Sequence, residues 1–351
     1  MKKILFLTII FININIFASP RAVVVMDVDS GRVLYSENKD EKKLIASTTK
    51  IMTFVVAYEY AKDFLDVYVE AGDEILKMYG TSIYLSYHEK MLLRDLLYGL
   101  MLRSGNDAAV VIANFVGGSE DGFVKLMNKK AKAIGMNNTI FNNPHGLDEV
   151  TENYSTAYDM ALLSRYANKI PFYQKVTSTK YYKVQTDEKA YSWTNRNKFL
   201  FMYPNYISGK TGYTPRAGRT LVTSAKQKNM HLTIVSLNDD NHYENQRILY
   251  DEMFQKYQNT LLVSKEVFNT EHPSLLLTKS IYYPLAENEK NNILIKLLLN
   301  DYDSSIGGEL VITLNNRELL REYIYKKEIK SNSKQELSIW EKAIIFIKKI
   351  F

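Results

Sequence analysis

The order of apolar and polar residues divides the chain into two β-rich regions and a helical middle. Residues 22–27 are apolar and mostly β-branched, residues 29–31 read Asp-Ser-Gly, and residues 32–37 alternate in polarity. This pattern predicts a strand, a tight turn and a second strand. Apolar residues recur at helical spacing after Ser47, and residues 92–167 are predicted to be mostly helical.

Strand-like sequence returns after this helical middle. Four strands are predicted at residues 181–184, 206–211, 219–225 and 230–237, with a closing helix at residues 243–258. Strands at both ends with helices between them predict one antiparallel sheet, assembled from distant segments and covered by helices. The predicted fold class is therefore α+β, and residues 19–258 are predicted to form the first domain.

The pattern changes near residue 259. Short apolar runs are separated there by Asn, Asp and Gly, which predicts a small β-rich domain over residues 259–329. Residues 330–337 are polar and are predicted to be a flexible linker.

The last segment, residues 338–351, is predicted to be an amphipathic helix. Its apolar side chains fall on one helical face, and Glu341, Lys342, Lys348 and Lys349 fall on the other. The segment is too short to cross a bilayer, which takes roughly 20 apolar residues. A helix lying on the membrane surface is the favoured interpretation, and a terminal helix docked on the protein is the alternative.

The N-terminus predicts export. Lys2 and Lys3 precede an apolar run over residues 4–17, which ends at the small residues Ala18 and Ser19. This arrangement is typical of a secretory signal peptide, here residues 1–18. An uncleaved N-terminal anchor is the alternative. We expect the mature protein at the outer face of the cytoplasmic membrane.

The composition of the chain excludes several kinds of chemistry. The chain of 351 residues has a formal net charge of +6 and no cysteine, which excludes thiol catalysis, disulfides and thiolate metal sites. The five histidines are scattered without metal-binding spacing, so neither a metal nor a cofactor is predicted. Basic residues are spread among acidic ones, and no nucleic-acid partner is predicted.

Ser47 and Lys50 carry the first candidate chemistry. They lie three residues apart at the start of a predicted helix, so both side chains leave the same face, with Cβ atoms roughly 5–6 Å apart. A serine hydroxyl is a weak nucleophile until a base takes its proton, and a lysine can be that base only when its surroundings hold it neutral. The spacing therefore predicts an activated serine.

Two further motifs add polar groups. Ser104 and Asn106 are expected to point the same way on an extended segment, offering a hydroxyl for proton relay and an amide that orients Lys50 and a substrate carbonyl. Lys210, in a predicted strand, adds a second cation. Its charge would lower the pKa of Lys50 and could bind an anionic substrate.

The motifs S-x-x-K, S-x-N and K-T-G, in this order, are the signature of penicillin-binding proteins and class A β-lactamases. The chain resembles the low-molecular-weight penicillin-binding proteins that act as D-alanyl-D-alanine carboxypeptidases. The resemblance runs from about Ala22 to Tyr257, and residues 307–314 resemble the small C-terminal β domain of these enzymes. Its strongest stretches are DLLYGLM at 95–101, SGNDAA at 104–109, NPHGL at 143–147, YSTA at 154–157 and GKTGYT at 209–214.

The resemblance implies the same sheet arrangement and completes the site. It makes Ser47 the nucleophile, Lys50 the base and Ser104 the relay to the leaving amine. The substrate-binding residues would be Asn106, Lys210, Thr211, Gly212 and Tyr213. The resemblance places the oxyanion hole at two backbone N–H groups, those of Ser47 and Tyr213. Gly212 would let the substrate approach the strand closely.

One position departs from the family pattern. Family members often carry an arginine where the last helix of the catalytic domain begins, but His242 aligns there in this chain. Arg247 follows one turn later, and Arg216 and Arg219 come just after K-T-G. The partner of the substrate carboxylate therefore stays open. His145, in a Pro-Gly loop, is expected to be structural rather than catalytic.

The resemblance implies a serine peptidase that removes the terminal D-alanine from peptidoglycan stem peptides and is inhibited by β-lactams. A β-lactamase is one alternative, but the chain lacks the E-x-x-L-N motif that class A enzymes use for deacylation. A D,D-endopeptidase acting on cross-links and a non-catalytic wall-binding protein are the others. The three intact motifs argue against the last.

Overall fold

The computed structural model describes residues 21–300, residues 305–327 and the backbone of residues 347–349. The predicted signal peptide, the predicted linker and most of the predicted C-terminal helix lie outside the described residues.

The strands of the described chain are β1 Ala22–Asp27, β2 Val33–Glu37, β3 Lys43–Leu44, β4 Tyr68–Glu70, β5 Lys90–Leu92, β6 Tyr154–Ser155, β7 Tyr181–Gln185, β8 Ala190–Thr194, β9 Tyr206–Thr214, β10 Gly218–Gln227, β11 Met230–Leu237, β12 Tyr257–Val263, β13 Leu275–Leu276, β14 Ile281–Ala286, β15 Ile293–Leu299, β16 Ile306–Leu314, β17 Arg317–Lys326 and β18 Ile347–Lys349. The α-helices are α1 Lys50–Ala61, α2 Leu93–Tyr98, α3 Asn106–Gly117, α4 Glu120–Ala133, α5 Ala157–Ala167, α6 Pro171–Ser178, α7 Phe199–Met202, α8 His242–Lys256 and α9 Lys265–Glu271. Short 3₁₀ helices cover Ala46–Thr49, Asp73–Lys77 and Glu287–Asn292, and a π-helical turn covers Gly99–Arg103.

The central sheet is antiparallel and joins distant segments, as the sequence predicts. Its order is β2-β1-β11-β10-β9, so the N-terminal hairpin pairs with β11, more than two hundred residues further on, with Ala22 opposite Leu237. The strand β9, which carries K-T-G, lies at one edge of this sheet. This edge is where the functional site forms.

Helices cover both faces of the sheet. Every residue of β1 is buried, and its side chains alternate between two cores: Val24 and Met26 belong to one, Val23 and Val25 to the other. The first core lies under α1 to α6, and the second lies under α7 and α8. The structure therefore confirms the α+β class and the helical cover of the antiparallel sheet.

Strand β12 links the catalytic region to the C-terminal β-rich unit, which comprises β12 to β18. Tyr257 at its start packs in the core beneath α8, whereas Leu262 packs in the core of the C-terminal unit. The predicted domain border at residues 258 and 259 thus falls inside a strand. The C-terminal unit contains the sheet β13-β17-β16-β15-β18, the pair β12-β14 and the helix α9.

Arg32, in the turn between β1 and β2, fastens the C-terminal unit to the catalytic region. Its guanidinium donates to the Pro284 carbonyl oxygen at 2.6 Å and to both carboxylate oxygens of Glu289 at 2.9 and 2.5 Å. It also lies over the rings of Tyr257 and Tyr283 at 5.3 and 5.4 Å. These contacts are half-buried and bidentate, the geometry in which an arginine ion pair contributes most.

At the C-terminus the structure differs from the predicted helix. Ile347–Lys349 form β18, which pairs antiparallel with β15. An extended backbone satisfies the outward N–H and C=O groups of β15, which a helix could not do. The helical prediction is therefore wrong for these three residues. Within the described residues, none of the helices has the length and hydrophobicity needed to cross a bilayer.

Candidate active site

The three motifs meet in one cleft of about 360 Å³ between β9 and the helical layer. Lys50 and Lys210 are buried beside it. The cleft is lined by Ser47, Gly80, Thr81, Ser104, Asn106, Gly146, Leu147, Arg196, Lys198, Thr211, Gly212, Tyr213, Thr214, Arg219, His242 and Tyr243. All the sequence-predicted site residues thus lie in the cleft or directly beside it.

Ser47 lies in the 3₁₀ helix that runs into α1, and Lys50 is the first residue of α1. Their side chains meet as the spacing predicts, with 3.2 Å between Ser47 Oγ and Lys50 Nζ. Ala46 has a φ of 45°, which is uncommon for a residue with a Cβ and turns the chain sharply before Ser47. Gly146 lies so close that a Cβ there would be 1.9 Å from the Ala46 carbonyl oxygen.

The amine of Lys50 is fully buried among neutral acceptors. Its Nζ donates to Asn106 Oδ1 at 2.7 Å and to the His145 carbonyl oxygen at 2.6 Å. Burial lowers the pKa of Lys50 well below its usual value, the charge of Lys210 lowers it further, and Asp107 partly opposes both. A neutral amine has two N–H donors, which match the two carbonyl oxygens, and one lone pair left for the Ser47 hydroxyl.

Ser104 and Asn106 reach the cleft through a turn, not on the extended segment predicted. Ser104 ends the π-helical turn in the left-handed conformation, at φ 62° and ψ 34°, and Asn106 begins α3. The Asn106 amide is held at both ends, because Oδ1 accepts from Lys50 and Nδ2 donates to the Tyr79 carbonyl oxygen at 2.7 Å. One N–H of this amide is left for a substrate.

Asp107 holds the loop whose Gly80 and Thr81 line the cleft, a role that the sequence analysis did not predict. Its carboxylate accepts from the backbone N–H groups of Ile83 and Leu85, both at 3.0 Å, and from the Ser82 hydroxyl at 2.5 Å. The loop it holds also donates from Thr81 Oγ1 to the Ser104 carbonyl oxygen at 2.7 Å. In the sequence, Asp107 is indistinguishable from an acidic residue in the first turn of any helix.

Lys210 is almost completely buried on β9, where its Nζ donates to the Thr211 carbonyl oxygen at 2.7 Å. Burial, together with the charge of Arg196, lowers the pKa of Lys210 to about 7. Arg196 lines the cleft and was missed at the sequence level, since it lies in no motif. Lys210 therefore titrates near neutral pH beside the permanent charge of Arg196.

Gly212 permits the close approach between β9 and the serine. A Cβ at this position would lie 2.9 Å from the Ser47 nitrogen and 3.1 Å from the Thr48 nitrogen. The side chain of the next residue, Tyr213, is 60% exposed at the mouth of the cleft. Because β9 is an edge strand of the described sheet, backbone groups on its outer side have no strand partner.

The ring of His145 is structural. Burial lowers its pKa to about 3, so it is neutral, and Nδ1 accepts from the Leu147 N–H at 3.1 Å. The backbone carbonyl of the same residue is the Lys50 partner described above. Asn143 holds the loop by accepting from the N–H groups of His145 and Gly146 at 3.2 and 2.6 Å.

The basic residues considered for the carboxylate separate into two groups. Arg219 and His242 line the cleft. Arg216 instead donates to the Asp148 carbonyl oxygen and pairs with Glu152, and Arg247 forms exposed ion pairs on α8.

Comparison with known proteins identifies the family of the chain. Residues 16–241 match the family model described as D-alanyl-D-alanine carboxypeptidase. The chain is 40% identical over 220 residues to D-alanyl-D-alanine carboxypeptidase DacF of Bacillus subtilis, covering 61% of this chain and 56% of the relative. It is 37% identical over 230 residues to DacC of Escherichia coli, covering 62% and 56%. The matched region thus spans about half the length of these curated relatives.

Solved structures show the same fold over more of the chain. D-alanyl-D-alanine carboxypeptidase DacD of Francisella tularensis superposes with a TM-score of 0.70 at 27% identity, covering 92% of this chain and 96% of that one. Penicillin-binding protein 6B of Escherichia coli gives 0.69 at 26% identity, covering 86% and 93%.

Proposed function

The chain belongs to the D-alanyl-D-alanine carboxypeptidase family, and from this premise we propose that it removes the terminal D-alanine of peptidoglycan stem peptides through an acyl-enzyme on Ser47. The observation that carries the proposal is Lys50, a fully buried amine with a lowered pKa that lies 3.2 Å from the Ser47 hydroxyl. This is the arrangement that a serine nucleophile needs at neutral pH.

In the proposed reaction Ser47 Oγ attacks the carbonyl between the two D-alanines while Lys50 takes the hydroxyl proton. Ser104 relays a proton to the leaving amine as the peptide bond breaks, which releases D-alanine and leaves an ester on Ser47. Water then hydrolyses the ester, and the serine and the neutral lysine are restored.

The oxyanion of the tetrahedral intermediate would be stabilised by the backbone N–H groups of Ser47 and Tyr213. The tight packing of Gly212 against the Ser47 nitrogen supports this, because it holds β9 within reach of the serine. Such donors act on charge that develops in the transition state, and each contributes roughly 2.7–4 kcal/mol. The remaining N–H of Asn106 is suited to a substrate carbonyl, and Lys210 with Thr211 to the terminal carboxylate.

A β-lactam offers the same groups, a reactive carbonyl and a carboxylate. We therefore propose that penicillins acylate Ser47.

Product analysis tests the function. We expect the purified protein to release D-alanine from a stem pentapeptide ending in D-Ala-D-Ala and to leave cross-linked muropeptides intact, as judged by chromatography and mass spectrometry. Cleavage of the cross-link would instead identify a D,D-endopeptidase. Rapid turnover of penicillin would identify a β-lactamase, and a protein inert to all three compounds would contradict a catalytic function.

We propose further that the protein is exported and that residues 338–351 hold it at the outer surface of the cytoplasmic membrane. The charged and apolar N-terminal sequence supports export, and the lysines of the last segment support electrostatic attraction to anionic lipid.

Deletion of residues 338–351 tests the membrane contact. We expect the truncated protein to move to the soluble fraction while keeping its activity on a small soluble peptide, because these residues are remote in sequence from all three motifs. As a milder change, replacing Lys348 and Lys349 with glutamate should weaken sedimentation with membranes. A truncated protein that still sediments would overturn the proposal.

A further inference from the structure

The substrate of the proposed reaction ends in a free carboxylate. The structure separates the four basic residues after K-T-G that the sequence analysis considered as its partner. Arg247 is exposed on α8 and is occupied by Glu244 at 2.6 Å and Asp251 at 3.0 Å. Arg216 is occupied by the Asp148 carbonyl oxygen and by Glu152. Neither guanidinium lines the cleft.

His242 lines the cleft but is a poor cation. Burial lowers its pKa, and the charge of Arg219 lowers it further, although hydrogen bonds to backbone carbonyls partly oppose both. Its Nδ1 lies 3.1 Å from the Asp239 carbonyl oxygen. At neutral pH this ring is therefore uncharged, and the start of α8 lacks the permanent charge that an arginine would bring.

Arg219 reaches the cleft from β10, the strand that pairs with β9. It lies on β10 directly opposite Tyr213 on β9, so the two side chains share one face of the sheet, and alternation places Thr211 on that face as well. The guanidinium lies over the Tyr213 ring, 5.5 Å from its centroid, and lines the cleft. Within the described residues it forms no ion pair, unlike Arg216 and Arg247.

We propose that Arg219 binds the terminal carboxylate of the substrate together with Thr211, which lies on the same face of β9, and supplies from β10 the cation that the start of α8 lacks. A guanidinium can bind both oxygens of a carboxylate, whereas an ammonium acts as a point charge. The Tyr213 ring restricts the arginine side chain through a cation–π contact, which reduces the entropy lost when the carboxylate binds. The proposal rests on the carboxypeptidase function proposed above.

The test compares a peptide ending in D-Ala-D-Ala with its C-terminal amide. We expect Arg219→Gln to lower kcat/KM for the acid by about 10- to 100-fold, the range for a lost hydrogen-bonded charge, and to change kcat/KM for the amide little. Arg219→Lys should fall between the wild type and Arg219→Gln on the acid. The matched control is Arg247→Gln, which also removes one arginine charge and should leave the ratio of acid to amide unchanged.

Two results would overturn the assignment. Equal losses on acid and amide in Arg219→Gln, in a protein with unchanged thermal unfolding, would show that the arginine does not act through the carboxylate. Loss of the acid preference in Arg196→Gln but not in Arg219→Gln would assign the carboxylate to Arg196 instead. A wild-type protein that cleaves neither peptide would instead contradict the proposed function itself.

Discussion

Replacement of Ser47 with alanine is expected to abolish covalent labelling by a fluorescent penicillin and to lower hydrolysis of a D-Ala-D-Ala peptide by roughly 10⁶-fold, the loss typical of a missing serine nucleophile. The change removes one oxygen and leaves the surrounding packing in place, so the thermal unfolding temperature should change little. Labelling followed by gel electrophoresis and in-gel fluorescence measures the result.

Ser178→Ala is the matched control, because it removes the same oxygen from an exposed serine at the end of α6. It should label like the wild type. Persistent labelling of Ser47→Ala would show that the acyl group is attached elsewhere, and the nucleophile would have to be reassigned.

Replacement of Lys50 with alanine should slow acylation by about 10²- to 10⁴-fold, the usual contribution of a general base. The variant keeps Ser47, so any remaining labelling is slow rather than absent. Stopped-flow or quenched labelling gives the rate constant. Lys62→Ala, at the exposed C-terminal end of the same helix, is the control and should acylate at the wild-type rate. Normal acylation of Lys50→Ala would exclude this lysine as the base.

The pH dependence of acylation gives a second measure of the same residue. Only the neutral amine accepts a proton, so the rate should rise with pH and level off well below the usual lysine pKa. The charge of Lys210 contributes to this lowering, and Lys210→Ala should therefore move the rising limb to higher pH. Since the two lysines interact, the apparent pKa belongs to the pair. An unmoved limb would contradict the electrostatic coupling.

Local geometry explains which parts of the site were predictable. The contact between Ser47 and Lys50 could be predicted from helical spacing alone. The central sheet could be predicted because strand-like sequence occurs at both ends of the catalytic region. The turn at Ser104 was not predictable, because the apolar pattern over residues 92–102 continues without a sign of the π-helical turn. The left-handed backbone at that serine follows from the turn.

Contacts between distant segments could not be predicted from the sequence. The His145 carbonyl that accepts from Lys50 lies 95 residues away, and a backbone oxygen carries no trace of its role in the residue type. Arg196 lies in no motif. Its charge lowers the pKa of Lys210 only because the fold brings the two side chains close together. For the same reason, the sequence could name Arg219 and Arg216 as candidates for binding the carboxylate but could not choose between them. The structure separates them, because Arg216 is paired with Glu152.

The two buried lysines also make folding depend on protons. Both are charged in the unfolded chain at neutral pH, whereas the pKa of Lys210 in the folded protein is about 7 and that of Lys50 is well below its usual value. Unfolding between about pH 7 and the ordinary lysine pKa of about 10.4 therefore takes up protons, and these groups make the free energy of unfolding rise with pH across that window. The two buried lysines therefore lower the free energy of unfolding, and they lower it most at acid pH. An anion bound beside Lys210 would offset part of this loss.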